Sequence, residues 1–156
     1  MSQVLLNQPV PAFAVQSTAG EITQGNLIGQ WTVLYFYPKD STPGCTTQAQ
    51  NFRDRIDAFK AAGCQIIGVS RDSIKSHQNF IGKQELPFTL ISDPDETLCT
   101  LFDVMKMKNM YGKQVRGVER STFLIDPKGI LVQEWRGLKV PGHVDQVLQA
   151  VVSAAQ

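Results

Sequence analysis

Residues 32–46 decide the fold and read Thr32-Val33-Leu34-Tyr35-Phe36-Tyr37-Pro38-Lys39-Asp40-Ser41-Thr42-Pro43-Gly44-Cys45-Thr46. The first six residues form an unbroken β-branched and aromatic run, which is typical of a strand buried on both faces. Pro38 ends this strand because it has no N–H to donate, and the residues after it favour a turn. Apolar residues then recur at helical spacing as far as Phe59, and Gly63 marks a helix end. The stretch predicts a strand–loop–helix corner, with a helix over 45–61.

Cys45 falls at the first turn of that predicted helix. Unpaired backbone N–H groups and the positive end of the helix dipole favour a thiolate there over a thiol. The neighbouring residues are polar or turn-forming, so a nucleophilic sulfur is favoured over a buried structural cysteine. The carboxyl end of a strand is also where open α/β sheets place their chemistry.

The rest of the chain alternates strand and helix patterns. The predicted strands are a hairpin of Ala12–Val15 and Glu21–Thr23, single strands at 65–70 and 87–91, and a hairpin of Ser121–Asp126 and Ile130–Arg136. The predicted helices are one capped by Ser73, one beginning at Pro94, and a last one through Val144 and Val152. For the helix at Pro94, Asp93 is the cap and Glu96 completes a capping box. This order predicts one α/β domain, residues 1–156, with a thioredoxin-like fold and an N-terminal β-hairpin extension.

The segment 106–119 is basic and shows no clear periodicity. We expect a long loop there that borders the active site and influences the reductant or a subunit contact. The two histidines stand alone in the sequence. We expect His77 on a helix face and His143 at the start of the last helix, and assign neither a catalytic role.

Composition excludes several classes of function. The net charge of +1 gives no electrostatic reason to expect nucleic acid or an anionic membrane. No apolar run reaches 18 residues, and the first residues lack a secretory signal pattern. Three cysteines are too few for a disulfide scaffold and fit a reducing compartment. We therefore expect a cytoplasmic protein with no nucleic-acid or membrane partner and no zinc site.

Cys45 lacks the neighbouring cysteine that thiol–disulfide exchange enzymes use, since the equivalent stretch is Cys45-Thr46-Thr47-Gln48. A lone thiolate cannot close a local disulfide, but it can attack an external electrophile such as a peroxide. A thiol–disulfide oxidoreductase is thereby disfavoured, although the sequence leaves it open, together with a peroxide sensor or holdase.

On these residues the chain resembles the peroxiredoxins, and within them the bacterioferritin-comigratory (PrxQ) subfamily. The resemblance covers nearly the whole chain and is carried by residues 35–46, Glu119–Asp126, Ile67–Ser73, Leu90–Asp93 and Pro141–His143. It implies a thiol peroxidase of the peroxiredoxin fold that reduces hydrogen peroxide and organic hydroperoxides without metal, flavin or haem. Relatives of this kind are often monomeric, so we expect a monomer.

The resemblance also implies a role for each site residue. Cys45 would be the peroxidatic nucleophile, oxidised to a sulfenic acid. Thr42 would hydrogen-bond the peroxide, Pro38 would shield the sulfur, and Arg120 would stabilise the thiolate and the charge on the peroxide oxygens. Each has a structural alternative: a turn or cap for Thr42, a strand end for Pro38, and a surface pair with Glu119 for Arg120.

The chain departs from its relatives in two ways. Many peroxiredoxins carry Glu where this chain has Gln48, and we expect hydrogen bonding without charge and no proton transfer there. Both usual positions of a resolving cysteine are empty: one is Gln50, and no cysteine lies between Cys64 and Cys99. We expect these two cysteines to be core residues and the sulfenic acid to be reduced by an external thiol: thioredoxin, glutaredoxin with glutathione, or glutathione alone. Cys99 is the alternative internal resolver and would require a helix to unfold locally.

Overall fold

The computed structural model describes residues 3–156, so Met1 and Ser2, where the predicted domain begins, lie outside the described residues. In chain order the elements are β1 (Ala14–Ser17), β2 (Gly20–Thr23), a 3-10 helix (Gln24–Leu27), β3 (Trp31–Phe36), α1 (Pro43–Asp54), α2 (Ile56–Ala61), β4 (Cys64–Ser70), α3 (Ile74–Gln84), β5 (Thr89–Ser92), α4 (Thr97–Leu101), β6 (Met105–Met110), β7 (Lys113–Val118), β8 (Ser121–Ile125), β9 (Leu131–Arg136) and α5 (His143–Ala154). Among these residues, no helix is long and apolar enough to cross a membrane.

A seven-stranded sheet forms the centre, in the order β2-β1-β5-β4-β3-β8-β9. The strands β3, β4 and β5 run parallel, whereas β8 runs antiparallel to β3 and β1 antiparallel to β5. The expected α/β fold with an N-terminal hairpin is confirmed, and that hairpin forms one edge of the sheet. Because β8 is antiparallel to β3, the beginning of β8 lies beside the end of β3.

The sheet separates two apolar cores. Side chains alternate along β3, so Tyr35 packs into the first core and Phe36 into the second. Buried residues of α1, α2, α3 and α5 complete the first core, and those of α4 and the N-terminal segment complete the second. Cys45 belongs to the first core and Cys99 to the second.

The helix expected over 45–61 is two helices, and that prediction is wrong in its bounds. The first begins two residues earlier, at Pro43, whose fixed φ suits the first position of a helix. The helix is interrupted at Arg55, whose backbone (φ −111°, ψ 8°) leaves the helical region before α2 begins. The Arg55 side chain reaches Asp145 of α5, with Nε 2.9 Å from Oδ1.

The helix expected to begin at Pro94 begins instead at Thr97 and ends at Leu101. Glu96 has a left-handed backbone (φ 60°), which breaks the helix on its N-terminal side, and it forms no capping box. Asp93 still provides a hydrogen-bond acceptor for the first turn of this helix. Its carboxylate accepts the backbone N–H groups of Leu98 and Cys99 at 3.2 and 2.8 Å.

The segment 106–119 is not a loop but the hairpin of β6 and β7. Its turn is Tyr111-Gly112, and both residues have positive φ (54° and 79°), as two-residue hairpin turns of matching twist require. Neither face of this hairpin is fully buried. The sequence alternates apolar and polar residues only over Met105-Lys106-Met107-Lys108, and this short alternation before Tyr111-Gly112 is the strand signal that the sequence analysis missed. Arg116 ties the hairpin to α4 through a two-point ion pair with Glu96.

Other boundaries follow the predictions closely. Ser73 caps α3, where its hydroxyl oxygen accepts the N–H of Ser76 at 3.1 Å. His143 is the first residue of α5, and Cys64 opens β4 as a buried residue. These positions carry strong local signals, because a cap or a buried apolar run is legible from neighbouring residues alone.

Candidate active site

Cys45 is the third residue of α1, and the loop before it leaves the carboxyl end of β3. Its side chain is only 2% exposed and packs in the first core. The backbone of this corner is held by an N–H of Thr46 that donates to the carbonyl of Thr42 at 2.8 Å. The corner therefore presents a sulfur in a fixed place at the beginning of a helix.

Arg120 reaches this sulfur from 75 residues away in the sequence. It immediately precedes β8, whose first residue Ser121 pairs with Phe36 at the end of β3. The antiparallel register thus delivers the guanidinium to the corner, where Nη2 donates to Cys45 Sγ at 3.5 Å. Among residues 3–156, Arg120 makes no ion pair with Glu119, so the surface-pair alternative does not describe this structure.

Gly44 makes room for this contact. A Cβ at position 44 would lie 3.3 Å from Arg120 Nη2, a separation that would require the guanidinium to shift. The absence of a side chain there allows Arg120 to approach the sulfur across the helix start.

Gln48 holds the other side of the guanidinium. It lies one helical turn after Cys45 and is fully buried, and its Oε1 accepts from Arg120 Nη1 at 2.7 Å. Its Nε2 has no hydrogen-bond partner in the part of the chain that the structure describes. The two terminal nitrogens of Arg120 are therefore directed separately, one to the sulfur and one to the amide oxygen.

Thr42 and Pro38 lie on the connecting loop. Thr42 is half-buried, and its hydroxyl donates to the carbonyl of Lys39 at 2.8 Å. It is the cap residue of α1 by position, yet its side chain makes no capping bond. Pro38 is half-buried directly after β3. The structure brings Cys45 and Arg120 into direct contact and keeps Thr42 and Pro38 on the same loop.

A buried polar network beneath this loop was not anticipated from the sequence. The Asp40 carboxylate accepts from the Tyr37 hydroxyl at 2.6 Å and the Ser76 hydroxyl at 2.8 Å, and contacts His77 Nδ1 at 2.7 Å. His77 Nε2 lies 2.8 Å from the carbonyl of Ile91. His77 lies on a helix, as expected, and on its completely buried face, and the network fastens the loop to α3.

Both ring nitrogens of His77 are engaged in this network. A backbone carbonyl can only accept, so Nε2 donates to Ile91, while Nδ1 faces the Asp40 carboxylate. No single-residue pattern reveals this, because the partners come from a loop and a separate helix.

The other two thiols lie away from Cys45. Cys64 pairs with Trp31 at the start of β3, the opposite end of the strand from the corner, about 17–20 Å away for a strand of this length. Burial raises the pKa of Cys64 to about 12. Cys99 lies on the other face of the sheet, in the second core. Burial and then the Asp93 carboxylate raise its pKa well above that of an ordinary thiol. All three cysteines are free thiols.

The positive charge of Arg120 contributes to the pKa shifts of two neighbouring groups. Burial and then Arg120 lower the pKa of His143 to about 4, and Thr122 Oγ1 lies 2.9 Å from its Nε2. Burial and then Arg120 also lower the pKa of Lys108, while Glu119 and Cys45 oppose that shift. Lys108 belongs to β6, so the basic hairpin lies within electrostatic range of the site.

No group of three or more His, Cys, Asp or Glu side chains in residues 3–156 is arranged to hold a metal ion. The chemistry available at this corner is that of a thiol, a guanidinium, a buried amide and a hydroxyl.

Comparison with known proteins gives consistent matches. The sequence profile of the AhpC/TSA family matches residues 6–134. Peroxiredoxin Bcp of Xanthomonas campestris pv. campestris is 52% identical, covering 100% of this chain and 99% of the relative. Peroxiredoxin Bcp of Bacillus subtilis is 46% identical, covering 94% of each chain.

Solved structures agree with these matches. The Xanthomonas campestris bacterioferritin comigratory protein, described for its alkyl peroxide reduction activity, superposes with a TM-score of 0.87 at 53% identity over 92% of each chain. A cysteine-to-serine mutant of Xylella fastidiosa PrxQ superposes with a TM-score of 0.92 at 40% identity over 100% of both chains. The expected thioredoxin-like fold of the peroxiredoxin type is confirmed.

Proposed function

The chain belongs to the AhpC/TSA family and is a thiol-dependent peroxidase of the Bcp (PrxQ) type, and on that premise we propose that it reduces hydrogen peroxide and organic hydroperoxides through a sulfenic acid on Cys45. The observation that carries this assignment is the contact between Arg120 Nη2 and Cys45 Sγ at 3.5 Å. A guanidinium directed at a sulfur in the first turn of a helix favours the thiolate form that attacks peroxides.

The oxidation step follows from this geometry. The Cys45 thiolate attacks one peroxide oxygen, an S–O bond forms, and the O–O bond breaks. The leaving oxygen takes the electron pair and a proton and departs as water or an alcohol. Arg120 stabilises the negative charge as it moves from sulfur to oxygen, without reorganising, because Gln48 already holds its other nitrogen.

Thr42 and Pro38 have supporting roles in this proposal. The Thr42 hydroxyl donates its hydrogen to the backbone carbonyl of Lys39. The lone pairs of the hydroxyl oxygen therefore remain free to accept a hydrogen from the bound peroxide. Pro38, half-buried beside the corner, keeps water from the sulfur. Both residues sit on a loop that the Asp40–His77 pair fastens to α3.

We propose that an external thiol resolves the sulfenic acid. The thiol attacks Cys45, releasing water and leaving a mixed disulfide, and a second thiol restores the reduced protein. Cys64 lies at the start of β4, beside the end of β3 opposite to the Cys45 corner, and Cys99 lies on the other face of the sheet from Cys45. Because neither thiol is next to Cys45, this placement supports an external resolver. Thioredoxin, glutaredoxin with glutathione, and glutathione are the candidate reductants, for a monomer acting in the cytoplasm. Cys99 would reach Cys45 only if α4 unfolded.

The basic hairpin of β6 and β7 is placed to influence that reductant. Lys108 is partly buried within electrostatic range of Arg120 and Cys45, and Lys113 lies near the hairpin tip. Replacing both lysines by Gln is expected to change the KM for the reductant. Unchanged reductant kinetics would refute this role.

The deciding experiment adds less than one equivalent of hydrogen peroxide to the reduced protein, traps thiols rapidly, and locates the oxidation by peptide mass spectrometry. We expect one added oxygen on Cys45, with Cys64 and Cys99 free. Loss of two hydrogens with Cys45 linked to either would show an internal resolver. An unmodified Cys45 would refute the proposed site.

Turnover assays separate this function from its rivals. A peroxidase consumes peroxide continuously with an NADPH-linked thiol system, whereas a sensor or holdase oxidises once. A thiol–disulfide oxidoreductase would instead reduce insulin, which we do not expect here because Cys45 has no neighbouring cysteine.

A further inference from the structure

We propose that His77 is a positioning residue for the reaction with peroxide. It acts through Asp40, which holds residues 38–41 and with them the Thr42 hydroxyl. The inference rests on the proposed oxidation of Cys45 by peroxides, and it adds to that reaction a side chain of α3 that lies beneath the loop. Its basis is the buried contact between His77 Nδ1 and the Asp40 carboxylate at 2.7 Å.

Residues 38–41 have one point of attachment to the rest of the described chain. All hydrogen bonds that reach from this stretch to a distant part of the chain are made by Asp40. Its N–H donates to Asp72 Oδ2 at 2.9 Å. Its carboxylate accepts from the Ser76 hydroxyl at 2.8 Å and contacts His77. The position of this stretch therefore depends on where the Asp40 side chain is held.

His77 links that carboxylate to the central sheet. The imidazole is completely buried, and its Nε2 donates to the carbonyl of Ile91 in β5 at 2.8 Å. Because β5 pairs with β4 and β4 pairs with β3, the imidazole fixes Asp40 relative to the strand that leads into the loop. A buried carboxylate is unfavourable unless its hydrogen bonds are made, so loss of the imidazole favours movement of Asp40 towards water.

Movement of Asp40 would reach Thr42 through the residue between them. Ser41 is exposed and has a left-handed backbone (φ 63°), which is unfavourable for a residue with a side chain and persists only where its surroundings hold it. The Thr42 hydroxyl also depends on this stretch, since it donates to the carbonyl of Lys39 at 2.8 Å. Without the attachment, Ser41 can return to an ordinary conformation. The Thr42 hydroxyl, which meets the peroxide in the proposed function, is then displaced.

The contact that favours the thiolate does not run through this stretch. Cys45 is held by α1, and Arg120 reaches its sulfur from the beginning of β8, which pairs with β3. We therefore expect His77 to affect oxidation by peroxide and to leave the ionisation of Cys45 unchanged. A side chain that merely stabilised the fold would not separate these two properties.

The test compares two replacements of the imidazole. His77→Leu removes both of its polar contacts, whereas His77→Asn keeps a short polar side chain that can still bond Asp40. Phe80→Leu is the matched control, because Phe80 is buried in the same helix and contributes packing without a hydrogen bond.

Two readouts separate peroxide handling from thiol ionisation. The first is the rate constant for oxidation of the reduced protein by hydrogen peroxide at pH 7. The second is the pH midpoint of Cys45 alkylation by iodoacetamide, measured without peroxide. Cys64 and Cys99 do not contribute near neutral pH, because burial raises the pKa of each far above that range.

We expect His77→Leu to slow oxidation by about 10-fold to 10²-fold, because a binding group misplaced by about 1 Å can cost about 10²-fold in rate. His77→Asn should fall between His77→Leu and the unaltered protein, and Phe80→Leu should stay close to the unaltered protein. The alkylation midpoint should be the same in all four proteins. An unchanged oxidation rate in His77→Leu, an equal slowing in Phe80→Leu, or a slowing matched by a raised midpoint would overturn the proposal.

Folding and function are checked separately. If His77→Leu does not fold, as thermal unfolding would show, His77→Asn decides, because an oxidation rate equal to that of the unaltered protein would overturn the proposal. If peroxide fails to oxidise Cys45 in the unaltered protein, the proposed function fails and this inference fails with it. If the unaltered protein is oxidised and the His77 variants match its rate, only the positioning role of His77 fails.

Discussion

Two cysteines occupy the same position in two different helices and face opposite charges. Cys45 is the third residue of α1 and Cys99 the third residue of α4, and both are buried, with exposures of 2% and 0%. Cys45 receives a hydrogen bond from Arg120, whereas Cys99 lies beside the Asp93 carboxylate, which accepts its backbone N–H. In the proposed function, the contrast teaches that a helix start alone does not define a reactive thiol. Cys45 has a cation beside its sulfur, whereas burial and then the Asp93 carboxylate raise the pKa of Cys99.

The sharpest test of this contrast is the paired replacement of each cysteine by serine. Cys45→Ser should lower the peroxidase rate by at least about 10³-fold, because it removes the nucleophile. Cys99→Ser should stay within about twofold of the unaltered protein, since its role here is packing. Initial rates of peroxide consumption with dithiothreitol measure both, with thermal unfolding as the check on folding. A comparable loss in Cys99→Ser would place that residue in the reaction cycle.

Removing the guanidinium should make the surroundings of Cys45 more like those of Cys99. Arg120→Met is expected to lower kcat/KM by about 10²–10³-fold, the usual cost of losing a directed donor. Arg55→Met is the matched control, because Arg55 forms an exposed pair with Asp145 far from the sulfur. Stopped-flow oxidation of the reduced protein gives both rates. Equal rates for the two variants would contradict the assigned role of Arg120.

Burial of His143, and after it the positive charge of Arg120, also makes stability depend on pH. The pKa of His143 is about 4 in the folded protein, lowered by burial and Arg120, whereas an unfolded histidine has about 6.5. The unfolded chain therefore binds the proton first, and stability present above pH 6.5 is lost as pH falls towards 4. We expect a loss of about 2 kcal/mol between pH 7 and pH 5 from this residue.

Urea unfolding of the unaltered protein and of His143→Gln at the two pH values measures this contribution. The variant should lose less stability on acidification than the unaltered protein does. The same pH dependence in both would show that His143 does not titrate as its surroundings indicate.

The smallest effect is expected where a charge is removed from the Cys99 side. Asp93→Asn takes away the carboxylate but leaves the thiol buried, and burial is the larger cause of its raised pKa. Cys99 should therefore remain unoxidised by one equivalent of peroxide in this variant, as mass spectrometry would show. Oxygen on Cys99 would mean that the carboxylate, rather than burial, protects it.

The corner around Cys45 could be predicted because its signals are local. A buried strand, a proline stop and a helix with Pro43 near its start all lie within one stretch of sequence. Arg120 was identified only through family resemblance, because the antiparallel register of β8 with β3 brings it to the sulfur from 75 residues away.

What the sequence did not reveal depends on tertiary contacts. The left-handed backbone of Glu96 goes with its pairing to Arg71 and Arg116, so the helix starts three residues later than the Asp93-Pro94 pattern suggests. His77 has an ordinary helical context in the sequence, and only the fold shows Asp40 beside it. The β6–β7 hairpin has no fully buried face, and its apolar–polar alternation is confined to the four residues from Met105 to Lys108.

Gly44 turns the helix start into a place where robustness and reactivity oppose each other. Alanine there would favour the helix by up to about 1 kcal/mol, because glycine is a poor helix former. Its methyl group would lie 3.3 Å from Arg120 Nη2, so the guanidinium would have to give way by a few tenths of an ångström and its 3.5 Å contact with Cys45 Sγ would be disturbed. A more stable helix start and an undisturbed arginine are therefore opposing demands on this one position.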